Sequence, residues 1–445
     1  MIIRDRKPLA IQVVYTKTAG VTLPELQDRQ AGSDPATDPT TTDPAAGTPA
    51  IWSRNFRYYF TARGAGLLGD AMLPVAVTAG LVSAHHDAST VGFALAFLFG
   101  PFAGLVLFGG VLADRFTARR MMIGADLLNL TTRVLLAVLF FRGIDQLWQL
   151  YLLLALAGTA AAMFQPGAAS TVPLVARDVQ GANGVLRTAE AFAALLGPAL
   201  AGALAAVATG WVMVIAAVTY GISAVCLFAL RLGTVPAPPH GDSLWRNLVV
   251  GWHEFRARSW LWGVIVIWLF FTVLGWGPLL PVSSGLVIPE YGGTAYFVVN
   301  CAFGAGTVIG GLLAVRYKPE RPLAVGAVAM LAFPLYPLGI VLGWPVWLLA
   351  AAQVVVGTGL TFWSVMWATS VQTQVPGEVL NRIHAYEVAG SVCMFPIGSA
   401  LSGPATEAFG ADRVLGVGIA VSLLAVAALL LVRPIRTLRR VPDRP

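Results

Sequence analysis

Gly109-Gly110-Val111-Leu112-Ala113-Asp114-Arg115-Phe116-Thr117-Ala118-Arg119-Arg120 joins two long apolar stretches through a turn that holds one acid and three arginines. A second copy, Gly310-Gly311-Leu312-Leu313-Ala314-Val315-Arg316-Tyr317-Lys318-Pro319-Glu320-Arg321, aligns with it without a gap and places Val315 where Asp114 stands. A charged turn that recurs once in each half of an apolar chain predicts a membrane protein built from two related halves.

Composition agrees. The 445 residues are 57% hydrophobic and 11% charged, whereas a soluble domain carries about 25% charged residues. Mean hydropathy is +0.74. Apolar stretches of roughly 20 residues, enough to cross about 30 Å of hydrocarbon, recur from Tyr58 to Val432. Continuous apolar runs read as helices, because each backbone group in lipid must bond within its own segment. A membrane barrel would show short alternating segments instead. The expected fold class is therefore all-α. Cys226, Cys301 and Cys393 lie far apart in apolar segments with no metal-ligand spacing. The net charge of +7 falls at helix ends and in alternate loops, so no nucleic-acid partner is expected. There is no phosphate-binding loop, nucleophile–base pair or zinc motif. Neither enzyme chemistry nor a cofactor or metal is expected, and energy must come from an ion or substrate gradient.

The chain divides into five parts. Residues 1–50 lack apolar periodicity and turn rich in Asp, Pro and Thr after Gln30, which predicts a disordered cytoplasmic segment. The first six-helix half covers 51–230, with spans expected at 57–82, 90–113, 121–141, 147–169, 184–208 and 211–230. A central loop, 231–258, carries prolines and then a basic amphipathic stretch from Trp245 to Arg258. The second half covers 259–432, with spans at 259–287, 293–315, 322–343, 345–369, 379–406 and 411–432, and a basic tail occupies 433–445. Alternate turns collect the arginines, whereas the opposite turns hold only Arg142 and Arg413. By the positive-inside rule both termini are cytoplasmic, in a multi-pass plasma-membrane protein. The halves repeat elsewhere: Asn183 precedes Pro198 by the interval that separates Asn381 from Pro396, and Leu68–Val75 is similar to Leu274–Val282, pairing Asp70 with Trp276. Parallel repeats place a substrate path between the halves.

A few residues could carry mechanism. Gly109 and Gly110 let helices pack closely. Asp114 sits at the cytoplasmic end of span two, where Arg115, Arg119 and Arg120 can bridge it to neighbours, and Asp126 reads as a partner of these arginines. Asp70 lies deep in span one, where a charge must pair or face a cavity. Burial disfavours a charged carboxylate, which suits a site that loads and releases a proton; a helix-packing aspartate is the other reading. Arg133 lies roughly 18 Å into span three, with Asp70 or Glu387 as candidate partners and Asn129 on its face. Glu190 and Arg187 can pair on span five. Glu387 and His384 share a face of span eleven and could relay protons. His85-His86-Asp87 reads as an exposed polar turn.

Twelve spans, a central loop and this turn resemble the major facilitator superfamily over Arg57–Val432. The turn is similar to that family's signature between spans two and three, with Ala118 in place of its second glycine. Leu67-Leu68-Gly69-Asp70, Asp126, Phe164-Gln165-Pro166, Gly197-Pro198 and Val375-Pro376-Gly377-Glu378 with Asn381-Arg382 resemble its macrolide-efflux and enterobactin-exporter branch. The resemblance implies two pseudo-symmetric six-helix halves and a turn that latches them in the outward-facing state, Asp114 facing the start of span eleven near Gly377 to Asn381. Gly197-Pro198 with Gly202 resembles the antiporter signature of span five, where the proline predicts a kink. It also implies alternating-access export of an amphipathic small molecule (a drug, macrolide or siderophore) in exchange for protons, by a monomer in the lipid bilayer. A facilitator or importer of a metabolite is the alternative. A non-transporting sensor or enzyme on this scaffold is a third reading.

Overall fold

The computed structural model describes residues 51–144, 146–205, 207–232 and 244–441. The segment 1–50 expected to be disordered, the proline-rich part of the central loop and the last four tail residues lie outside the described residues, as do the side chains of Asp114 and Arg115. Helices are the only regular structure among the described residues, and twelve are long and apolar enough to cross a bilayer. The first six are Arg54–Ser83, Ser89–Gly110, Ala118–Arg142, Leu147–Val175, Val179–Ala205 and Thr209–Ala229. The second six are Ser259–Tyr291, Gly293–Arg316, Pro322–Val341, Val346–Gln374, Gly377–Phe409 and Ala411–Leu431. The basic stretch of the central loop forms an additional helix, Leu244–Ala257.

Spans four and ten outrun the apolar reading, continuing to Val175 and Gln374. Their last turns are polar yet buried: Thr171 donates to Gly167 O at 2.7 Å and Ser370 to Met366 O at 2.7 Å. A hydroxyl that bonds its own helix backbone can enter an interior without an orphaned donor.

Spans seven, nine and eleven are interrupted, at Thr272–Trp276, Met330–Ala332 and Val392–Met394. Each interruption contains the residue four positions before a proline, Pro278, Pro334 or Pro396. Proline has no N–H for that carbonyl and its ring crowds it, so the helix changes pitch there. Span five is continuous through Pro198, where the sequence predicts a kink. There, a Cβ on Gly197 would lie 2.5 Å from the Ala71 side chain, so the glycine permits close packing of spans five and one.

The two glycine pairs of the repeated turn position the halves. A Cβ on Gly109 would meet Ala162 O of span four at 2.5 Å, and Gly310 lies equally hard against Thr358 O of span ten, each within its own half. Gly110 and Gly311 face across the molecule. Their Cβ positions fall 2.8 Å from Asn381 O of span eleven and 2.8 Å from Gly184 O of span five. Val106, Ala162 and Val388 extend this seam toward mid-depth. The seam lies at the end that carries the central loop and both ends of the twelve-span bundle. At the other end Phe97, Phe99 and Phe297 are exposed.

Candidate functional site

A cavity of 240 Å³ lies inside the first half, and its polar wall comes from spans one, three, four and six. Gly69 lets span six approach closely: a Cβ there would sit 2.5 Å from Thr219 Oγ1. The next residues on each helix then meet, and the Tyr220 hydroxyl donates to the Asp70 carboxylate. Arg133 Nη2 stands 3.7 Å from Asp70 Oδ1, and its Cζ lies 5.3 Å from the centre of the Tyr220 ring. Arg133 is therefore paired with Asp70, one of its two expected partners. The pair is lopsided: the Asp70 side chain is 48% exposed to the cavity, whereas Arg133 is 1% exposed. Arg133 Nε and Nη1 have no hydrogen-bond partner among the described residues.

Asp126 corrects an expectation. Its carboxylate accepts from Ser223 Oγ of span six at 2.5 Å and it lines the same cavity. Among the described residues it has no ion pair with Arg119 or Arg120. Asp126, Asn129 and Arg133 fall three and four residues apart and share the inner face of span three. Arg119 instead caps span six, donating from Nε to Leu227 O at 3.0 Å and from Nη2 to Phe228 O at 2.6 Å. A guanidinium at a helix C-terminus satisfies carbonyls the helix leaves open. Arg120 is exposed.

A second, smaller cavity of 110 Å³ lies in the seam and draws on both halves. Arg187 Nη1 pairs with Glu190 Oε2 at 2.7 Å, as the sequence predicts. Glu190 Oε1 also takes Arg63 Nη2 at 3.4 Å, from span one. From the other half, His384 Nδ1 lies 2.9 Å from Glu387 Oε2, and Trp367 Nε1 donates to Glu387. Arg63 was not legible as a site residue, because its partner lies 127 positions away in sequence.

Sequence reasoning also missed the polar ties of the seam. Lys318, in the second copy of the turn, pairs with Asp178 Oδ2 at 2.6 Å. Gln180 Nε2 donates to Ala314 O at 2.7 Å and Tyr317 O at 2.8 Å, capping span eight. Asn183 Nδ2 reaches Gln372 Oε1 at 2.8 Å. In this second copy, where Val315 stands in the place of Asp114, the turn supplies the cation and the span 4–5 connection supplies the carboxylate.

The turn holds a further correction. Thr117, not Ala118, is the residue in the left-handed region, at φ 69°. Ala118 already begins span three. The signature's second glycine, a residue suited to positive φ, therefore corresponds to Thr117. In the second half, the repeat partner of Asp70 is packed into apolar surroundings. Trp276 packs edge-on to Trp268 and Phe395, and Trp268, Trp363 and Trp367 stack in series. A larger groove of 750 Å³ between spans three and six is lined only by apolar residues such as Val134, Val138, Val218 and Ile222. These side chains are exposed.

Comparison with known proteins accords with the twelve-span fold. The sequence profile of the Major Facilitator Superfamily matches residues 60–386. The uncharacterized MFS-type transporter YvqJ of Bacillus subtilis is 24% identical over 86% of this chain and 93% of its own length. Macrolide efflux protein A of Streptococcus pyogenes is 22% identical over 82% and 91%. The enterobactin exporter EntS of Escherichia coli is 26% identical over 78% and 84%. Among solved structures, a bacterial homologue of the iron transporter ferroportin in an outward-facing state superposes with a TM-score of 0.65 at 17% identity, covering 85% of this chain and 98% of that one. Twelve spans, a repeated turn and a matching profile lead to one assignment: the chain belongs to the major facilitator superfamily.

Proposed function

We propose that this transporter exports an amphipathic small molecule in exchange for protons, with Asp70 as the coupling acid. The observation that carries the reading is the lopsided pair: a carboxylate half open to a cavity, backed by a buried arginine and a tyrosine hydroxyl. A proton on Asp70 removes its attraction for Arg133, so proton occupancy changes how spans one and three hold each other. A cargo that needs the ionised carboxylate competes with that proton. Phe99, Phe102 and Phe164 supply the apolar wall, as an amphipathic cargo requires. Relatives named for macrolide efflux and enterobactin export favour the outward direction. The arginines of the turns favour a cytoplasmic seam, which makes the described state closed to the cytoplasm. His384, Glu387 and Glu190, paired at that seam, are the groups placed to pass protons inward when it parts.

The test is uptake of a radiolabelled macrolide, and separately of enterobactin, into everted membrane vesicles with an imposed inward-acid gradient. Uptake should depend on the gradient in the wild type and lose that dependence in Asp70→Asn. Gradient-driven uptake that survives Asp70→Asn unchanged refutes the coupling role.

A further inference from the structure

We propose that Arg63 is a proton barrier: its fixed charge stands in the neck between the two cavities and keeps protons from passing from one to the other. The first cavity contains Asp70, Asp126 and Arg133; the second contains Glu190, Arg187, His384 and Glu387. Their walls share two residues, Arg63 and Gln165. Arg63 Nη2 lies 3.3 Å from Gln165 Oε1 and 3.4 Å from Glu190 Oε1, and its Cζ is 5.5 Å from the centre of the Phe164 ring. These contacts come from spans four and five and fix the guanidinium in place. Each cavity alone holds groups able to carry a proton. Connected, they would offer a path from Asp70 to the seam without any movement of the halves, and an exchanger with such a path would dissipate the gradient that drives it.

Charge decides the direction of the effect. Arg187, Glu190 and Glu387 line only the second cavity and Asp126 only the first, so of the two residues shared at the neck, Arg63 and Gln165, the charge is that of the Arg63 guanidinium. A fixed cation at a constriction repels protons electrostatically while leaving water and neutral solutes alone. Arginine suits the position because it stays charged at every physiological pH. Glu190 then acts as a positioning residue: its carboxylate holds Arg63 across the gap, and Arg187 sets the orientation of Glu190.

The proposal rests on the transport reading only in that protons reach Asp70, and it can be tested without a cargo. Purified full-length protein is reconstituted into liposomes that enclose a pH-sensitive dye, and a potassium diffusion potential drives protons inward. Wild type and Arg63→Lys should be tight. Arg63→Gln should leak about tenfold faster than wild type while retaining an enclosed carboxyfluorescein marker. A folded Arg63→Gln that is as tight as wild type overturns the proposal. Gln165→Ala widens the neck but leaves the charge, and should stay tight; a leak there means the barrier is steric and also overturns it. That variant carries the test alone should Arg63→Gln not survive purification. In Arg63→Gln/Asp70→Asn the leak should fall if Asp70 feeds the path. A leak that persists upholds the barrier and counts against Asp70 as the coupling acid, so the two ideas fail separately.

Discussion

Replacing Gly110 by alanine should part the seam, and the size of the effect follows from the packing. The new Cβ would lie 2.8 Å from both Asn381 O and Ala385 Cβ and 3.3 Å from Arg382 Cα, where ordinary contact begins at 3.4 Å. The shortest contacts must lengthen by 0.6 Å, and one of them is a backbone carbonyl that no rotamer change can move. Overpacking of this kind costs about 1–3 kcal/mol, equivalent to a shift of roughly 5- to 150-fold in a two-state equilibrium. Separating spans two and eleven relieves that strain, so the cost falls on the seam-closed state. Gly109→Ala is the control. Its clash is with Ala162 O inside the same half, so it should lower stability without moving the equilibrium. The readout is the distance between spin labels at exposed positions 120 and 378, on opposite sides of the seam, with Cys226, Cys301 and Cys393 replaced by alanine. A population with longer distances should grow in Gly110→Ala and not in Gly109→Ala. Identical distance distributions in Gly110→Ala and wild type would refute the argument.

Other expectations follow from the same geometry. Asp178→Lys should open the seam in the same assay through repulsion from Lys318, and the charge swap Asp178→Lys/Lys318→Asp should restore much of the closure; equal opening in the swap would mean the ion pair is incidental. Thr117→Gly relieves a β-branched residue at φ 69°. A strained residue of this kind costs about 1–3 kcal/mol, offset by roughly 0.5–1 kcal/mol of added chain entropy, so the unfolding temperature should rise, and an unchanged or lower value in differential scanning fluorimetry refutes the assignment. Asp87 caps span two, and hydrogen bonds from the Ser89 hydroxyl, then the Thr90 hydroxyl and amide, hold its carboxyl down from 3.8 to about 2. Its folded value is depressed, so this cap stabilises fully above pH 4 and is lost as pH falls through about 2. Hydrogen exchange at the Thr90 amide should lose protection in that window, and loss beginning near neutral pH would count against the cap.

The spans were legible because lipid enforces a simple code of length and apolarity, and the deviations occur where the code is silent. Spans four and ten run on through Thr171 and Ser370, polar by composition but buried because each hydroxyl bonds its own helix. The glycine pairs were legible as close-packing signals, but the sequence did not say which member faces inward. Gly109 and Gly110 point about 100° apart on a helix, which is enough to send one into its own half and the other across the seam. The cross-half partners were not legible. Asp178 and Lys318 are ordinary loop charges until the fold brings them together, and the partners of Arg63 lie on spans four and five, more than a hundred positions away. Asp70 and Arg133 were legible because ionisable groups at their depth are costly enough to require a partner. Asp126 was misread because proximity in sequence to Arg119 outweighed its register with Asn129 and Arg133.

The proline-centred breaks have a mechanical consequence. Those in spans seven and eleven lie against each other: a Cβ on Gly277 would fall 2.9 Å from Gly398 Cα, and one on Gly398 would fall 2.6 Å from Val273 O. Helices bend most easily where backbone hydrogen bonds are missing, so two weak points stacked in one layer act as an elbow. The counterpart spans one and five run uninterrupted through Pro74 and Pro198 and behave as beams. Bending at the elbow would swing the outer ends of two helices toward the first half while the glycine seam below stayed shut. The mouth and the seam could then move one after the other, giving the cycle an occluded station that a single rigid rocking motion would not require.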